Sequence, residues 1–286
     1  MRSGPGNHTP GRFVVKRAYY RMISLENVYK AFGTKHVLNG FSLDVQEGET
    51  MVIIGYSGTG KSVAIKHIVG LLEPDQGTVF VDGLEVPKLR RRQLYALRAQ
   101  IGYVFQFSAL FDSLTVNENV AMGLVKSGAM TPKQIEMRVQ ESLELVDLPT
   151  AGNTLPIELS GGMRKRVGIA RSIAFRPKYM LYDEPTTGLD PVTAAVIDEL
   201  MKRMQVQLGV TSIVITHDMR SAYFVGTRIA MLFEGRVRQV GTVDEIKNTT
   251  DPVVRQFIEG RATLHTTELS MDEPKAGVTD PSGAVV

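Results

Sequence analysis

The residues with the most evident chemistry lie in one glycine-rich segment. It fits the pattern G-x-x-x-x-G-K-[ST] and reads Gly55-Tyr56-Ser57-Gly58-Thr59-Gly60-Lys61-Ser62. Glycines at this spacing let successive backbone N–H groups point at a phosphate, and a helix N-terminus behind them adds positive potential. The pattern therefore predicts a phosphate-binding loop. Lys61 is expected to reach the β- and γ-phosphates of a nucleotide, and the Ser62 hydroxyl to ligate Mg²⁺.

Two adjacent carboxylates follow a second apolar strand, Tyr179–Tyr182. Asp183 is expected to hold Mg²⁺, directly or through a water, and Glu184 is expected to polarise an attacking water. Taken alone, an Asp-Glu pair after a strand usually marks only the start of a loop. Together with a phosphate loop in the same chain, the pair indicates nucleotide hydrolysis.

A histidine follows a third strand-like run, in Val214-Ile215-Thr216-His217-Asp218. A single histidine is more often structural than catalytic. At the tip of a strand that neighbours the Asp183 strand, however, its imidazole would be placed to donate a hydrogen bond to a γ-phosphate. Position alone leaves both interpretations open.

The elements that must position these residues alternate between strands and helices. A β-branched strand ends at Ile54, and after the glycine-rich turn a helix is expected over Lys61–Leu72. Further strands are expected at Tyr179–Tyr182 and Thr211–Ile215, separated by a helix over Val192–Leu208. This βαβ order predicts a parallel sheet.

The rest of the chain divides by composition. Residues 1–21 are basic and rich in Gly and Pro, and they are expected to form a disordered extension. One ordered domain is expected over residues 22–260, with a mainly helical part at about 87–166. Residues 261–286 form a polar tail. Two alternatives stay open for it, an unstructured segment and a segment that binds a second subunit.

Composition excludes several classes of protein. The chain has no cysteine, which excludes disulfides and thiolate metal sites. No apolar run approaches the roughly 20 residues that span a bilayer. The formal net charge of +3 is typical of a solvated surface and does not indicate nucleic-acid binding.

One further motif, Leu159–Met163, reads LSGGM and precedes a basic helix. By itself, Ser-Gly-Gly before a helix is a good N-cap and anion site. Because it lies between the phosphate loop and the Asp183 strand, it closely resembles the LSGGQ signature of the ATPase subunits of ABC transporters. The resemblance covers Met22 to about Gly260. It implies an α/β fold with a RecA-like P-loop NTPase core, an antiparallel β subdomain and an inserted helical subdomain.

The resemblance also implies roles for single residues. Phe32 stands where the family stacks an aromatic ring on adenine, and Gln106 stands where a glutamine senses Mg²⁺ and links to the membrane partner. Asp190 lies in the segment that crosses the dimer interface, and His217 matches the switch histidine. The implied nucleotide-contacting positions outside the motif of the phosphate loop are Phe32, Val63, Ser160, Gly161, Gly162 and Asp190.

The resemblance implies that two copies of the chain work together. In this family the signature of one subunit binds the γ-phosphate held by the phosphate loop of the other. Two ATP molecules then join two chains head to tail, and hydrolysis lets them part. ATP and Mg²⁺ are the implied cofactors.

Several departures from the common family pattern resemble one branch, the MlaF-type ATPases that power lipid transport with MCE-domain proteins. Tyr56, Val63 and Met163 replace the common Pro, Thr and Gln, and the segments Phe105–Phe111 and Asp251–Gly260 are distinctive. The branch implies phospholipid transport between bacterial membranes, from the cytoplasmic face of the inner membrane. The implied partners are a permease of MlaE type, an MCE protein of MlaD type and, as an open possibility, a small regulatory subunit.

Two alternatives stay open at this point. The first is the ATPase of an ordinary importer for amino acids or ions. The second is a soluble ABC switch protein, although such proteins usually carry two ATPase domains or a long coiled coil.

Overall fold

The computed structural model describes residues 21–261, which contain ten strands and nine α-helices. The expected N-terminal extension, except for Arg21, and the polar tail beyond residue 261 lie outside this range. The strands are β1 (Arg21–Phe32), β2 (Lys35–Gln46), β3 (Thr50–Ile54), β4 (Gln76–Val81), β5 (Leu84–Glu85), β6 (Ile101–Val104), β7 (Tyr179–Asp183), β8 (Thr211–Ile215), β9 (Arg228–Phe233) and β10 (Arg236–Thr242). The helices are α1 (Lys61–Ile68), α2 (Arg91–Arg98), α3 (Val116–Ser127), α4 (Pro132–Leu145), α5 (Gly161–Ile173), α6 (Pro191–Leu208), α7 (Met219–Val225), α8 (Val243–Lys247) and α9 (Pro252–Ile258).

The strands form two sheets. Six strands in the order β10-β9-β3-β8-β7-β6 make the larger sheet, in which only β10 is antiparallel to its neighbour. The parallel sheet predicted from the βαβ order is therefore confirmed. The other four strands, in the order β2-β1-β4-β5, make an antiparallel sheet.

The two faces of the larger sheet pack against different layers. Along β3, Val52 and Ile54 join one hydrophobic cluster with helical residues, whereas Met51 and Ile53 join a second cluster with the antiparallel sheet. Successive strand residues point to opposite faces, so each strand serves both clusters. This double burial explains why these strands have near-continuous apolar sequences.

The region expected to be mainly helical, residues 87–166, contains a strand as well. The segment Ile101–Val104 pairs in parallel with β7 and becomes the edge of the larger sheet. Four residues that include Gly102 are too few to show a sequence period, so the strand was not predicted. A Cβ atom at Gly102 would lie 2.4 Å from Met180 Sδ, which explains the glycine. The signature helix α5 also continues past residue 166 to Ile173.

No helix within residues 21–261 is both long and apolar enough to cross a bilayer.

Helices α6 and α7 bury a carboxyl group between them. Asp198 is 8% exposed; its Oδ2 accepts a hydrogen bond from Ser221 Oγ at 2.8 Å, and its Oδ1 has no hydrogen-bond partner. Burial raises the pKa of Asp198 to about 6. The folded state therefore binds this proton more tightly than the unfolded chain does. Stability is lost as the pH rises toward and through that pKa, and the penalty is fully present above it.

We predict that Asp198→Asn stabilises the protein, because the amide keeps an acceptor for Ser221 without a buried charge. The gain in unfolding free energy should be about 1 kcal/mol larger at pH 8 than at pH 5, where the folded wild type is mostly protonated. Denaturant unfolding at both pH values measures this difference. Glu136→Gln, at an exposed position on α4, serves as the control. Equal gains at both pH values would contradict the assignment.

Candidate active site

The glycine-rich segment forms a loop between β3 and α1. Gly60, the N-cap of α1, has φ +104°, and a Cβ there would lie 2.7 Å from Val37 Cγ1. No side chain caps this helix, and its first turn has no acidic residue. The N-terminal N–H groups of α1 therefore lack an intrahelical acceptor, and the helix end presents positive potential to an anion.

Lys61, the first residue of α1, is only 7% exposed. Its ammonium donates to the carbonyl oxygens of Gly55 at 2.8 Å and Tyr56 at 2.9 Å. Burial lowers the pKa of Lys61, and the nearby carboxylates of Glu184 and Asp183 oppose that shift. The loop thus holds a poorly hydrated cation, which is suited to binding phosphate oxygens.

Asp183 links the loop to the end of β7. Its Oδ1 accepts a hydrogen bond from Ser62 Oγ at 2.7 Å, and its Oδ2 accepts one from Tyr103 Oη at 3.2 Å. The two residues predicted to hold Mg²⁺ are therefore in contact. Tyr103, on β6, lies outside the predicted set. Burial raises its pKa, and the Asp183 carboxylate adds to the shift, so its hydroxyl stays a donor.

Glu184 directly follows β7 and adopts a left-handed conformation with φ +51°. Its N–H donates to the Ile215 carbonyl at 3.0 Å, which ties it to the end of β8. Its Oε2 pairs with Nδ1 of His217 at 2.8 Å and accepts from Thr187 Oγ1 at 2.9 Å. The side chain of Glu184 is 12% exposed, whereas that of His217 is 60% exposed. A carboxylate held in a strained backbone position is typical of a functional site.

A second buried lysine reaches the site from α5. Lys165 is 6% exposed, and its ammonium donates to the carbonyl oxygen of Gln106 and, at 3.4 Å, to that of Glu184. Burial lowers the pKa of Lys165, while Glu184 and Asp183 oppose the shift. In the sequence this residue was only one of several cations on a basic helix. Its position beside the carboxylates of Glu184 and Asp183 depends on tertiary packing.

The signature residues form a separate cluster with Asp190. Ser160 caps α5, its Oγ accepting from the Met163 N–H at 3.2 Å, and it is exposed. A Cβ on Gly162 would lie 2.3 Å from Thr193 Cγ2, so a larger residue would clash with α6. Asp190 caps α6 by accepting hydrogen bonds from that same Thr193. These hydrogen bonds hold the pKa of Asp190 below its usual range.

Three further predicted residues make no hydrogen bond through their side chains to the groups described above. Phe32 ends β1 with its ring 48% exposed and Lys30 Nζ 5.8 Å from the ring centre. Gln106 lies in the turn after β6 and is half-buried. The side chain of Val63 packs against the core, so a contact between this residue and a nucleotide would come from its backbone N–H.

We predict that Gly60→Ala lowers nucleotide affinity at least about ten-fold, because the added Cβ would push the phosphate loop away from β2. Gly58→Ala is the matched control: Gly58 also has a positive φ, +76°, but open space surrounds its Cβ position. Gly58→Ala should lower the free energy of unfolding by only about 1 kcal/mol and should lower nucleotide affinity less than Gly60→Ala does. Titration with a fluorescent ATP analogue measures both affinities. Equal losses in the two variants would show that backbone strain, not the clash, matters.

Comparison with known proteins identifies the family. The family model of the ABC transporter matches residues 38–187. Protein TRIGALACTOSYLDIACYLGLYCEROL 3, chloroplastic, of Arabidopsis thaliana is 40% identical over 256 residues, covering 84% of this chain and 74% of the relative. The probable ribonucleotide transport ATP-binding protein mkl of Mycobacterium leprae is 36% identical, covering 84% and 69%. The methionine import ATP-binding protein MetN of Carboxydothermus hydrogenoformans is 42% identical, covering 82% and 70%.

Solved structures agree with this result. A dimeric ATP-binding cassette in a post-hydrolysis state with ADP and Pi matches with a TM-score of 0.71 and 36% identity, covering 78% of this chain and 99% of that one. The cbiO1 protein of Clostridium perfringens, part of the ABC transporter complex cbiONQ, matches with a TM-score of 0.74 and 30% identity, covering 84% and 95%. The chain belongs to the ABC transporter family, as an ATPase subunit that couples ATP hydrolysis to transport.

Proposed function

We propose that this ATPase drives phospholipid transport together with a permease of MlaE type and an MCE-domain protein of MlaD type. It would act as a pair of copies at the cytoplasmic face of the inner membrane. The proposal of lipid transport rests on a contact between two segments of this chain that depart from the common family pattern. The ring of Tyr56, in the phosphate loop, packs edge-to-face on Phe257 of the Asp251–Gly260 segment, with ring centres 5.1 Å apart.

That contact joins two of the departures, Tyr56 and the Asp251–Gly260 segment, into one structural feature. Tyr56 also lies 6.5 Å from the ring of Phe233, so it is held by β9 as well as by α9. Met163, the third departure, packs against the main hydrophobic cluster. A proline in place of Tyr56 would provide no ring for Phe257, so the loop departure and the C-terminal segment depend on each other in this packing.

The relatives support more than one cargo. One is named for a galactolipid, trigalactosyldiacylglycerol, which favours a lipid. Others are named for ribonucleotide transport and methionine import, which favour an ordinary solute transporter. The ordinary importer is therefore the second candidate function.

For hydrolysis, we assign Glu184 to polarise the attacking water and His217 to contact the γ-phosphate. Their hydrogen bond of 2.8 Å orients both groups. Thr187 Oγ1 donates a second hydrogen bond to the same oxygen of Glu184. Lys61 would exchange its loop carbonyls for β- and γ-phosphate oxygens, and the ring of Phe32 would stack on adenine.

Mg²⁺ fits the oxygens at the end of β7. Ser62 Oγ and Asp183 Oδ1 are hard oxygen ligands in mutual contact, and we assign Gln106 as the third protein group of this site. Within residues 21–261, no three acidic or histidine side chains cluster to hold a metal by themselves. Few protein ligands suit Mg²⁺, which keeps waters and substrate phosphates in its shell. When bound, the ion would neutralise charge on the phosphates.

The head-to-tail pair gives the signature its role. Ser160 is exposed at the N-terminus of a 13-residue helix, and Gly161 adds no side chain in front of it. This end of α5 therefore offers N–H groups and positive potential to an anion held by another chain. The solved dimeric cassette with ADP and Pi is a precedent for such a pair in a relative.

An exposed aromatic surface beside Gln106 suits the membrane partner. Phe107 is 85% exposed and Phe111 is 52% exposed, whereas most large apolar side chains of the core are fully buried. Exposed aromatic side chains clustered on one loop are typical of protein interfaces. We assign this loop to contact with the permease.

A mixing experiment tests the head-to-tail pair. We predict that Lys61→Ala and Ser160→Arg are each inactive alone, the first through weak ATP binding and the second through a blocked signature. Mixed together, they should recover part of the ATPase activity, because a heterodimer has one site built from an intact loop and an intact signature. The control mixes Lys61→Ala with the variant that carries both Lys61→Ala and Ser160→Arg. That mixture has no intact phosphate loop and should stay inactive. No recovery in the first mixture would contradict the arrangement.

The lipid branch is tested with Glu184→Gln, which should bind ATP and dimerise but nearly stop turning over. The variant is purified from native membranes in mild detergent with ATP, and co-purifying proteins and lipids are identified by mass spectrometry. We expect a permease, an MCE-domain protein and enriched phospholipid. A permease with a solute-binding protein would instead establish the importer, and wild-type turnover would contradict the role of Glu184.

A further inference from the structure

Three side chains of the signature helix α5 donate to backbone carbonyls of β6 and of the turn that follows it. Lys165 donates to the Gln106 carbonyl, and Arg171 donates to the carbonyls of Ser108 at 2.7 Å and Ala109 at 2.6 Å. Ser172 Oγ donates to the carbonyl of Tyr103 at 2.9 Å. Lys165 and Ser172, which are seven positions apart, lie on one face of α5, and the long side chain of Arg171 reaches the same segment from beside that face.

The close approach of this segment is built into α5. A Cβ on Gly168 would lie 3.5 Å from the Ser108 Cβ, at ordinary contact distance, so the turn packs directly over the helix backbone there. Ser108 and Ala109 both have positive φ, 59° and 47°. Such conformations persist only where the surroundings hold them, and the Arg171 guanidinium bonds to both carbonyls.

Lys165 differs from the other cations of α5 in what it reaches. Arg164 donates to the carbonyl of Leu159, just before its own helix, and Arg166 donates to the carbonyls of Val146 and Asp147 after α4. Only Lys165, among these three neighbours, bonds to carbonyls of two predicted site residues, Gln106 and Glu184. A buried ammonium is costly unless its donors are satisfied, so this position is not explained by packing alone.

The same helix begins at the signature. Lys165 follows Ser160 by five residues, a rise of about 7.5 Å along a rigid helix. A shift of the signature loop would therefore move the Lys165 ammonium relative to Glu184, whose backbone is fixed to β8 by its bond to Ile215. Two sites that share one rigid element can be coupled without any further contact.

We propose that Lys165 is a positioning residue that couples the signature loop to the hydrolytic site of its own subunit. When the signature engages the γ-phosphate held by a second copy, Lys165 sets the backbone of Gln106 and Glu184 for hydrolysis. The inference rests on the proposed roles of Glu184 and Gln106 and on the head-to-tail pair.

The test compares Lys165→Met, Lys165→Gln and Lys165→Arg in steady-state ATPase assays on the full chain. Lys165→Met, which keeps the length of the stem but has no donor, should lower kcat at least about ten-fold, because small displacements of reacting groups are costly. The Kd for a fluorescent ATP analogue should stay within about two-fold, since the phosphate loop is untouched. Lys165→Arg should recover most of kcat, and Lys165→Gln, with one donor group, should lie between.

Arg166→Met is the matched control, because it removes a neighbouring cation that also bonds to two carbonyls but lies away from the site. Its kcat should stay near that of the wild type. A kcat near wild type for Lys165→Met would overturn the proposal, as would an Arg variant no better than Met. If the Met variant does not fold, Lys165→Gln and Lys165→Arg carry the same comparison.

Glu184→Gln, measured in parallel, distinguishes a failure of the proposed role of Lys165 from a failure of the proposed role of Glu184. If Glu184→Gln loses turnover while Lys165→Met keeps it, only the coupling role of Lys165 fails. If Glu184→Gln keeps turnover, the proposed role of Glu184 fails, and the basis of the inference fails with it.

Discussion

The parallel pairing of β3, β8, β7 and β6 is the constraint on which the site depends. Parallel neighbours bring their carboxyl ends to one edge of the sheet, where loops from distant parts of the chain meet. Ser62 and Asp183 are 121 positions apart in sequence, yet their side chains are hydrogen bonded. His217, after β8, reaches Glu184, after β7, for the same reason.

Buried charge explains much of the local chemistry at this edge. Lys61 and Lys165 are both nearly inaccessible, and each donates to two backbone carbonyls, so neither charge is left without hydrogen bonds. Two buried lysines face two adjacent carboxylates, Asp183 and Glu184. Such a balanced set of charges tolerates burial.

Two helices bring side chains from distant parts of the sequence to this edge of the sheet. The signature helix α5 reaches Gln106 and Glu184 through Lys165, while the C-terminal helix α9 reaches the phosphate loop through the contact of Phe257 with Tyr56. Both contacts join residues that are far apart in sequence. If the proposed roles hold, a change at the signature or at the C-terminal segment would alter the geometry of Glu184 or of the phosphate loop without any direct contact with a nucleotide.

The sequence by itself determined the parts of the protein whose chemistry is local. The phosphate loop lies on a continuous stretch where strand, turn and helix follow one another, so its spacing alone predicts it, whereas the Asp183-Glu184 pair is predicted only together with that loop. The βαβ order determined the parallel sheet in the same way. The edge strand β6 was not predicted, because four residues carry too little periodicity. Tertiary structure alone decided that Tyr103 contacts Asp183, that Lys165 reaches Glu184 and that Tyr56 packs on Phe257. Each of these three contacts joins segments that strand order and helix packing bring together. None of them leaves a signal in the local residue pattern.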